Sequence, residues 1–182
     1  QPMIEEEESN WVAKEVGHRL EDLVAEIFSK KTGLEVFPVH KMFRHALYPF
    51  MLADVDYFIR FPDGTFGILE CKTCNYNARD KWNDDGIPAN YVYQVRHYMA
   101  VMNISKAYIA CLYGNNENEF VIRPLERDLM EEQEIIEQEE YFWKECPAVH
   151  WKTGFDSGKH SQIQWLCRQK APANQYLRSG DK

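Results

Sequence analysis

The sequence predicts an α/β or α+β fold in which helices flank a mixed central sheet. Three segments repeat apolar residues at helical spacing, β-rich segments lie between them, and the order along the chain is helix, strands, helix, strands, helix. With 182 residues, 45% of them hydrophobic, the chain can bury a core, and we expect a single domain over 1–182. We place the core of this domain at 9–145 and a basic, aromatic C-terminal extension at 146–182.

The first predicted element is an amphipathic helix that follows Ser9, a suitable N-cap, and stops at Gly33. Its apolar side chains recur three and four residues apart from Val12 to Phe28. At about 100° per residue, Glu21 lies beside Phe28 at the edge of the apolar stripe. Considered by position alone, Glu21 is simply a solvated carboxylate.

Three strands are predicted next. The first is a short strand at 34–39, and Pro38 restricts it to a sheet edge. The other two, at 53–60 and 65–72, flank a turn at 61–64 that carries Pro and Gly where φ must be fixed or positive. These two strands should pair as an antiparallel hairpin.

The remaining elements complete the order of helices and strands. A second helix is predicted at 90–103. A second hairpin joins 106–113 to 119–125 around the turn at 114–116, and an acidic third helix covers 127–145.

Acidic residues are unevenly distributed, although the formal net charge is -8. Residues 5–8 contribute four negative charges, and residues 126–145 contribute a net seven. The rest of the chain is therefore net positive, so the overall acidity does not exclude a nucleic-acid partner. It does exclude a protein that coats DNA through bulk basicity.

The five cysteines are odd in number and lack the regular spacing of a disulfide framework. Cys71 and Cys74 form a C-x-x-C motif, but Cys111, Cys146 and Cys167 do not supply the second pair that a zinc or iron–sulfur site needs. We therefore expect reduced thiols without a metal.

Two further absences set the expected location. No run approaches the ~18 consecutive apolar residues of a membrane span. Residues 1–8 also lack the basic segment and apolar core of a secretory signal. We therefore expect a cytoplasmic protein that does not enter a membrane.

The first hairpin concentrates charge on one face. If it turns about Asp63, Asp56 lies opposite Glu70, and Asp54 lies opposite Lys72. Carboxylates on Cβ atoms about 5 Å apart repel by roughly 3 kcal/mol at an effective dielectric near 20. A divalent cation such as Mg²⁺ compensates this repulsion better than Lys72 alone. Lys72 as an ordinary cross-strand partner of Asp54 is the alternative.

The spacing of Asp56 and Glu70-x-Lys72 resembles the PD-(D/E)xK restriction-endonuclease-like core, in which a hairpin presents these residue types at a metal site. Five stretches resemble, in order, the successive motifs of YqaJ-type viral recombinases, which are relatives of lambda exonuclease. They are 17–25, 52–56, 68–73, 87–91 and 94–101. The resemblance covers about residues 11 to 145.

The resemblance implies the composition of a catalytic metal site. Asp56 and Glu70 would bind Mg²⁺, or Mn²⁺ as a substitute, together with the main-chain carbonyl of Cys71. Glu21 would join the site directly or through metal-bound water. Lys72 would orient or deprotonate the attacking water, and because a neighbouring metal disfavours its ammonium form, activity should rise toward alkaline pH.

Other residues are assigned supporting or DNA-binding roles. Gln94 and Tyr98, one helical turn apart, fit the Q-x-x-x-Y motif that supports the site in these nucleases, with a polar helix edge as the alternative. Arg19, His97 and Lys152 are predicted to contact DNA.

By the same resemblance, the function is a Mg²⁺-dependent 5′-to-3′ double-strand DNA exonuclease that resects ends for phage-type recombination in a bacterial host cell. A structure-specific endonuclease and a non-catalytic DNA-end binding module remain alternatives. The upstream segment by which the family captures a 5′-phosphate is not seen before residue 9. The resemblance further implies double-stranded DNA ends, a single-strand annealing protein and a homotrimer as partners.

Overall fold

The structure, a computed structural model, describes residues 11–83 and 86–145. Its elements are α1 (Trp11–Thr32), β1 (Glu35–Phe37), β2 (Met42–Arg44), β3 (Leu52–Asp54), β4 (Tyr57–Arg60), β5 (Phe66–Thr73), a 3₁₀ segment (Tyr76–Trp82), α2 (Ala89–Met102), β6 (Lys106–Leu112), β7 (Phe120–Glu126) and α3 (Leu129–Glu145). The predicted N-cap Ser9, the extension 146–182 and Lys152 lie outside the described residues. Within the described ranges, none of the helices has the length and apolar character needed to cross a bilayer.

The main sheet has five strands in the order β1-β4-β5-β6-β7. The β5–β6 pair is parallel and the other pairs are antiparallel. The predicted mixed sheet flanked by helices is thus confirmed, as is the edge position of the first strand. β2 and β3 form a separate antiparallel pair.

Two apolar clusters cover the two faces of the main sheet. On one face, Val24 and Phe28 of α1 pack against Leu69 and Cys71 of β5. On the other face, α2 and α3 pack over a cluster that includes Ile68 of β5. Since successive side chains of a strand alternate between faces, those of residues 70 and 72 lie on the α2 side.

The first hairpin has the predicted register. Tyr57 pairs with Leu69, so the same pairing extended by one residue places Asp56 opposite Glu70. Gly64 in the turn has a φ of 82°, a conformation that favours glycine. The turn therefore sets the register that brings the two carboxylates together.

The prediction of one continuous strand over 53–60 is wrong. The chain bends after β3, which pairs with β2 and aligns Asp54 with Met42. Ala53 is fully buried in the core on the α2 side, which directs β3 away from the main sheet. Asp54 is consequently exposed and does not lie opposite Lys72 in a strand pair. Neither β2 nor the 3₁₀ segment was predicted.

Gly67→Ala should destabilise the protein. A Cβ at this position would lie 2.7 Å from Phe61 Cε2 and 3.0 Å from the main-chain oxygen of Lys106. We expect the free energy of unfolding in urea to fall by about 1–3 kcal/mol because of this overpacking. Gly17→Ala is the matched control: its Cβ would meet only Thr73 Oγ1 at 3.6 Å, so a helical alanine should leave stability equal or higher. Equal losses in both variants would contradict the packing described here.

Candidate active site

Two carboxylates meet at the hairpin, beside the α2 face of the sheet. Glu70 is 1% exposed, and its Oε1 accepts a hydrogen bond of 2.5 Å from Lys72 Nζ. Asp56 Oδ2 accepts a hydrogen bond of 2.9 Å from the main-chain N–H of Cys71. Glu70 Oε2 is buried and has no hydrogen-bond partner within the described part of the chain. A buried carboxylate oxygen without a partner is costly, and such atoms are concentrated at functional sites.

Asp56 is held in an environment that opposes its charge. Burial raises its pKa well above the usual range, and the charge of Glu70 raises it further. Lys72 and the hydrogen bond from Cys71 lower the pKa, but by less. Keeping these two acids together therefore lowers the stability of the folded protein, as is common in catalytic and metal-binding sites.

Lys72 provides the positive charge between these acids. Burial alone would lower its pKa, but the charges of Glu70 and Asp56 and the hydrogen bond to Glu70 outweigh burial and raise the pKa above the usual range. In the protein without a cation, Lys72 is an ammonium. The expectation that a neighbouring metal disfavours the ammonium form concerns the cation-bound site and stays a prediction.

The donors in this cluster fit a divalent cation of the magnesium class. The orphaned Glu70 Oε2, the Asp56 carboxylate and the main-chain carbonyl of Cys71 are all oxygen donors, which Mg²⁺ prefers. Over 11–83 and 86–145, no three His, Cys, Asp or Glu side chains are grouped as a metal site. Asp56 and Glu70 would be two carboxylate ligands, and a bound Mg²⁺ commonly keeps several waters besides one or two carboxylates.

Glu21 lies on α1 within electrostatic reach of the hairpin. Burial raises its pKa, and the charge of Glu70 raises it too, while His18, Lys72 and the hydrogen bond from His18 lower it. His18 Nδ1 lies 3.6 Å from its carboxylate. Glu21 is thus near the site rather than a fully solvated helix carboxylate, and its catalytic role stays a prediction.

Gln94 and Tyr98 form the hydrogen-bonded pair that their spacing suggests. Gln94 Nε2 donates to Tyr98 Oη at 2.8 Å. Burial raises the pKa of Tyr98, and the charges of Glu70 and Asp56 add to the increase. The pair therefore faces the acidic cluster from α2, and its supporting role stays a prediction.

An aromatic pair that the sequence analysis did not assign lies beside Lys72. Lys72 Nζ is 5.0 Å from the centroid of the Tyr91 ring. The Trp82 ring stacks on Tyr91 with centroids 5.8 Å apart and an interplanar angle of 25°. Tyr91 belongs to one of the stretches that carry the family resemblance, which was the only signal for it. No pattern marked Trp82.

The predicted DNA contacts have different outcomes. Arg19 is exposed and pairs with Glu15 at 2.6 Å, so its role stays a prediction. His97 is wrong as a DNA contact because it is 1% exposed. Its Nδ1 lies 2.7 Å from Glu139 Oε1 and its Nε2 lies 2.7 Å from the Leu52 main-chain oxygen. His97 instead ties α2 to α3 and β3.

Comparison with known proteins identifies the family. The model of the YqaJ-like viral recombinase domain matches residues 1–105. The chain belongs to this family. Protein YqaJ of Bacillus subtilis (strain 168) is 40% identical over 141 residues, which are 76% of this chain and 42% of YqaJ. The chain thus spans less than half the length of this relative.

Solved structures support the fold of this YqaJ-like domain. The alkaline exonuclease LHK-Exo from Laribacter hongkongensis superposes with a TM-score of 0.67 at 19% identity, covering 86% of this chain and 73% of that one. LHK-Exo in complex with dAMP gives the same TM-score and identity, with coverage of 87% and 73%. The predicted PD-(D/E)xK-like fold is thereby confirmed.

The His97–Glu139 pair of the YqaJ-like domain should make its stability depend on pH. Burial lowers the pKa of His97, but the charge of Glu139 and the hydrogen bonds to Glu139 and Leu52 raise it more, to above its usual value. The stabilisation is therefore complete below about pH 6.5 and is lost as pH rises through the folded-state pKa. Relative to His97→Gln, we expect the wild-type advantage in urea unfolding, about 3 kcal/mol at low pH, to shrink as pH rises. Parallel pH profiles would contradict a charged His97.

Proposed function

We propose that this YqaJ-like domain is a divalent-metal-dependent DNA nuclease, and specifically a 5′-to-3′ double-strand exonuclease. The observation that carries the proposal is the buried Glu70 carboxylate, whose Oε2 has no partner within the described ranges, next to an Asp56 with a raised pKa. A purely structural acid pair gains nothing from this arrangement. A site that receives a cation gains affinity for that cation from two closely placed carboxylates.

The chemistry of phosphodiester hydrolysis suits this charge distribution. A bound Mg²⁺ would activate water and offset the negative charge that develops on the phosphoryl group. Asp56, Glu70 and the Cys71 carbonyl would hold the cation, and Glu21 would add negative charge at its edge. Lys72, fixed on Glu70, would orient the attacking water. Gln94 and Tyr98 would hold the α2 side of the site in place.

DNA ends are the substrate that the comparisons favour. LHK-Exo is an alkaline exonuclease, and its complex with dAMP contains a deoxynucleotide. The family description names a viral recombinase, and an exonuclease that resects DNA ends is our proposal for its part in recombination. A single-strand annealing partner, a homotrimer and phage-encoded expression in a bacterial cytoplasm stay predictions.

The proposal is tested with linear duplexes bearing 5′-phosphate or 5′-hydroxyl ends and with closed circles, each in Mg²⁺ and in EDTA. We expect linear DNA, but not circles, to be degraded from 5′ ends in Mg²⁺ and to persist in EDTA. Cleavage of circles would instead support a structure-specific endonuclease. Binding without cleavage would support a DNA-end binding module.

A further inference from the structure

We propose that Tyr91 is a positioning residue that holds the Lys72 ammonium against Glu70. Lys72 Nζ lies 2.5 Å from Glu70 Oε1 on one side and 5.0 Å from the Tyr91 ring centroid on the other. The Lys72 side chain is only 20% exposed, so the aromatic face replaces much of the water around its charge. This inference rests on the proposed function, since Lys72 is positioned there for catalysis.

The Tyr91 ring is itself fixed from behind. Trp82 stacks on it and is 2% exposed. The Trp82 main-chain oxygen accepts a hydrogen bond of 2.5 Å from Arg123, which anchors the end of the 3₁₀ segment to β7. The Tyr91 N–H donates to the Pro88 oxygen at 2.9 Å, in the first turn of α2. These contacts hold the Tyr91 ring in place beside the Lys72 side chain.

Three variants separate this role from general packing. Tyr91→Leu removes the aromatic face, whereas Tyr91→Phe keeps it. Tyr76→Leu is the control, because Tyr76 makes a comparable contact with Arg79, at 4.7 Å from its ring, on the exposed surface. We expect Tyr91→Leu to lower kcat about tenfold with little change in KM, Tyr91→Phe to retain most of kcat, and Tyr76→Leu to match the wild type.

A second readout does not depend on activity. In protein labelled with ¹³C-lysine, the Lys72 Hε signal, assigned by its loss in Lys72→Arg, should show an upfield ring-current shift. The shift should persist in Tyr91→Phe and disappear in Tyr91→Leu. An active wild type with equal kcat and equal Lys72 signals in Tyr91→Leu and Tyr91→Phe would overturn the inference. A wild type that cuts no DNA would instead overturn the proposed function.

An independent observation concerns the C-x-x-C motif, whose two thiols do not face each other. Cys71 packs in the cluster on the α1 side, whereas Cys74 and Cys111 pack in the cluster on the α2 side. Cys74 Sγ lies 3.6 Å from Cys111 Sγ, and the Cys74 N–H donates to the Leu112 oxygen at 3.0 Å, which fixes the two segments together. We infer that Cys74 and Cys111 form an oxidation site that a peroxide converts to a disulfide.

The two thiols have distinct parts in this reaction. Cys74 is partly exposed and Cys111 is buried, so a peroxide reaches Cys74 first. The peroxide O–O bond breaks as Cys74 becomes a sulfenic acid and water is released. The Cys111 sulfur then attacks the Cys74 sulfur, the S–O bond breaks as the S–S bond forms, and the hydroxyl leaves with the Cys111 proton as a second water.

The test treats the full chain with hydrogen peroxide, alkylates the remaining thiols and maps non-reduced peptides by mass spectrometry. We expect a Cys74–Cys111 crosslink in the wild type and in Cys71→Ser, and no crosslink in Cys111→Ser. A Cys74 linked to Cys71, Cys146 or Cys167, or a Cys74 recovered only as sulfinic acid in the wild type, would overturn the inference.

Discussion

Asp56→Asn and Glu70→Gln are expected to abolish DNA cleavage while they preserve the fold. Each substitution keeps the shape of the side chain and removes one negative charge from the cation site. Losing a group that stabilises the transition state costs about two to three orders of magnitude in kcat, and loss of the metal itself costs more. We therefore expect kcat on a linear duplex to fall by about three orders of magnitude or more.

Asp54→Asn is the matched control for these variants. It makes the same chemical change two residues from Asp56, but Asp54 is exposed and pairs in the other sheet with Met42. Its kcat should stay within about threefold of the wild type, since surface substitutions have small effects. An Asp54→Asn as inactive as Asp56→Asn would show that the wrong acid has been assigned.

Asp56→Asn should raise the stability of the metal-free protein although it lowers activity. The pKa of Asp56 is raised in the folded protein, so folding favours its protonated form and its charge costs stability at neutral pH. Without added metal, the free energy of unfolding of Asp56→Asn should exceed that of the wild type by about 1–2 kcal/mol. This difference should grow as pH rises above the usual pKa of an aspartate. A large loss of stability would instead assign Asp56 a structural role.

Lys72→Met should lower both activity and stability. Lys72 is the hydrogen-bonded partner of the buried Glu70, and removing it leaves that charge unpaired. The free energy of unfolding should fall by about 3 kcal/mol without metal, and kcat should fall by about two to four orders of magnitude.

Mg²⁺ distinguishes this effect from ordinary packing damage. A cation that binds the two acids substitutes for the lost ammonium, so Mg²⁺ should raise the thermal midpoint of Lys72→Met more than that of the wild type. Glu70→Gln, which lacks a cation ligand, is the control and should not respond. A Lys72→Met variant that cleaves like the wild type would contradict the placement of this lysine.

The sequence predicted the hairpin register because local chemistry determines it. Gly64 permits the turn, and the pairing then fixes Glu70 opposite Asp56. The sequence did not predict the bend after Asp54. The bend depends on the pairing of β3 with β2, and β2 is a three-residue strand that has no recognisable sequence pattern. Non-local pairing overrode a continuous β-like pattern.

Non-local contacts also determine which side chains surround Asp56 and Glu70, so the sequence did not predict all of them. The same helical spacing fits a polar residue that faces solvent and one that faces a buried partner. The sequence therefore does not reveal that His97 pairs with Glu139, which is 42 residues away. Trp82 and Tyr91 meet Lys72 only after the 3₁₀ segment and α2 fold back over the sheet. Tertiary packing, rather than periodicity, selects these contacts.

Calorimetric titration of Mn²⁺, as a substitute for Mg²⁺, into the metal-free protein tests the cation site most directly. We expect saturable binding to the wild type, similar binding to Asp54→Asn, and loss of binding in Asp56→Asn and Glu70→Gln. Equal binding in all four proteins, or none in the folded wild type, would contradict a cation site at Asp56 and Glu70.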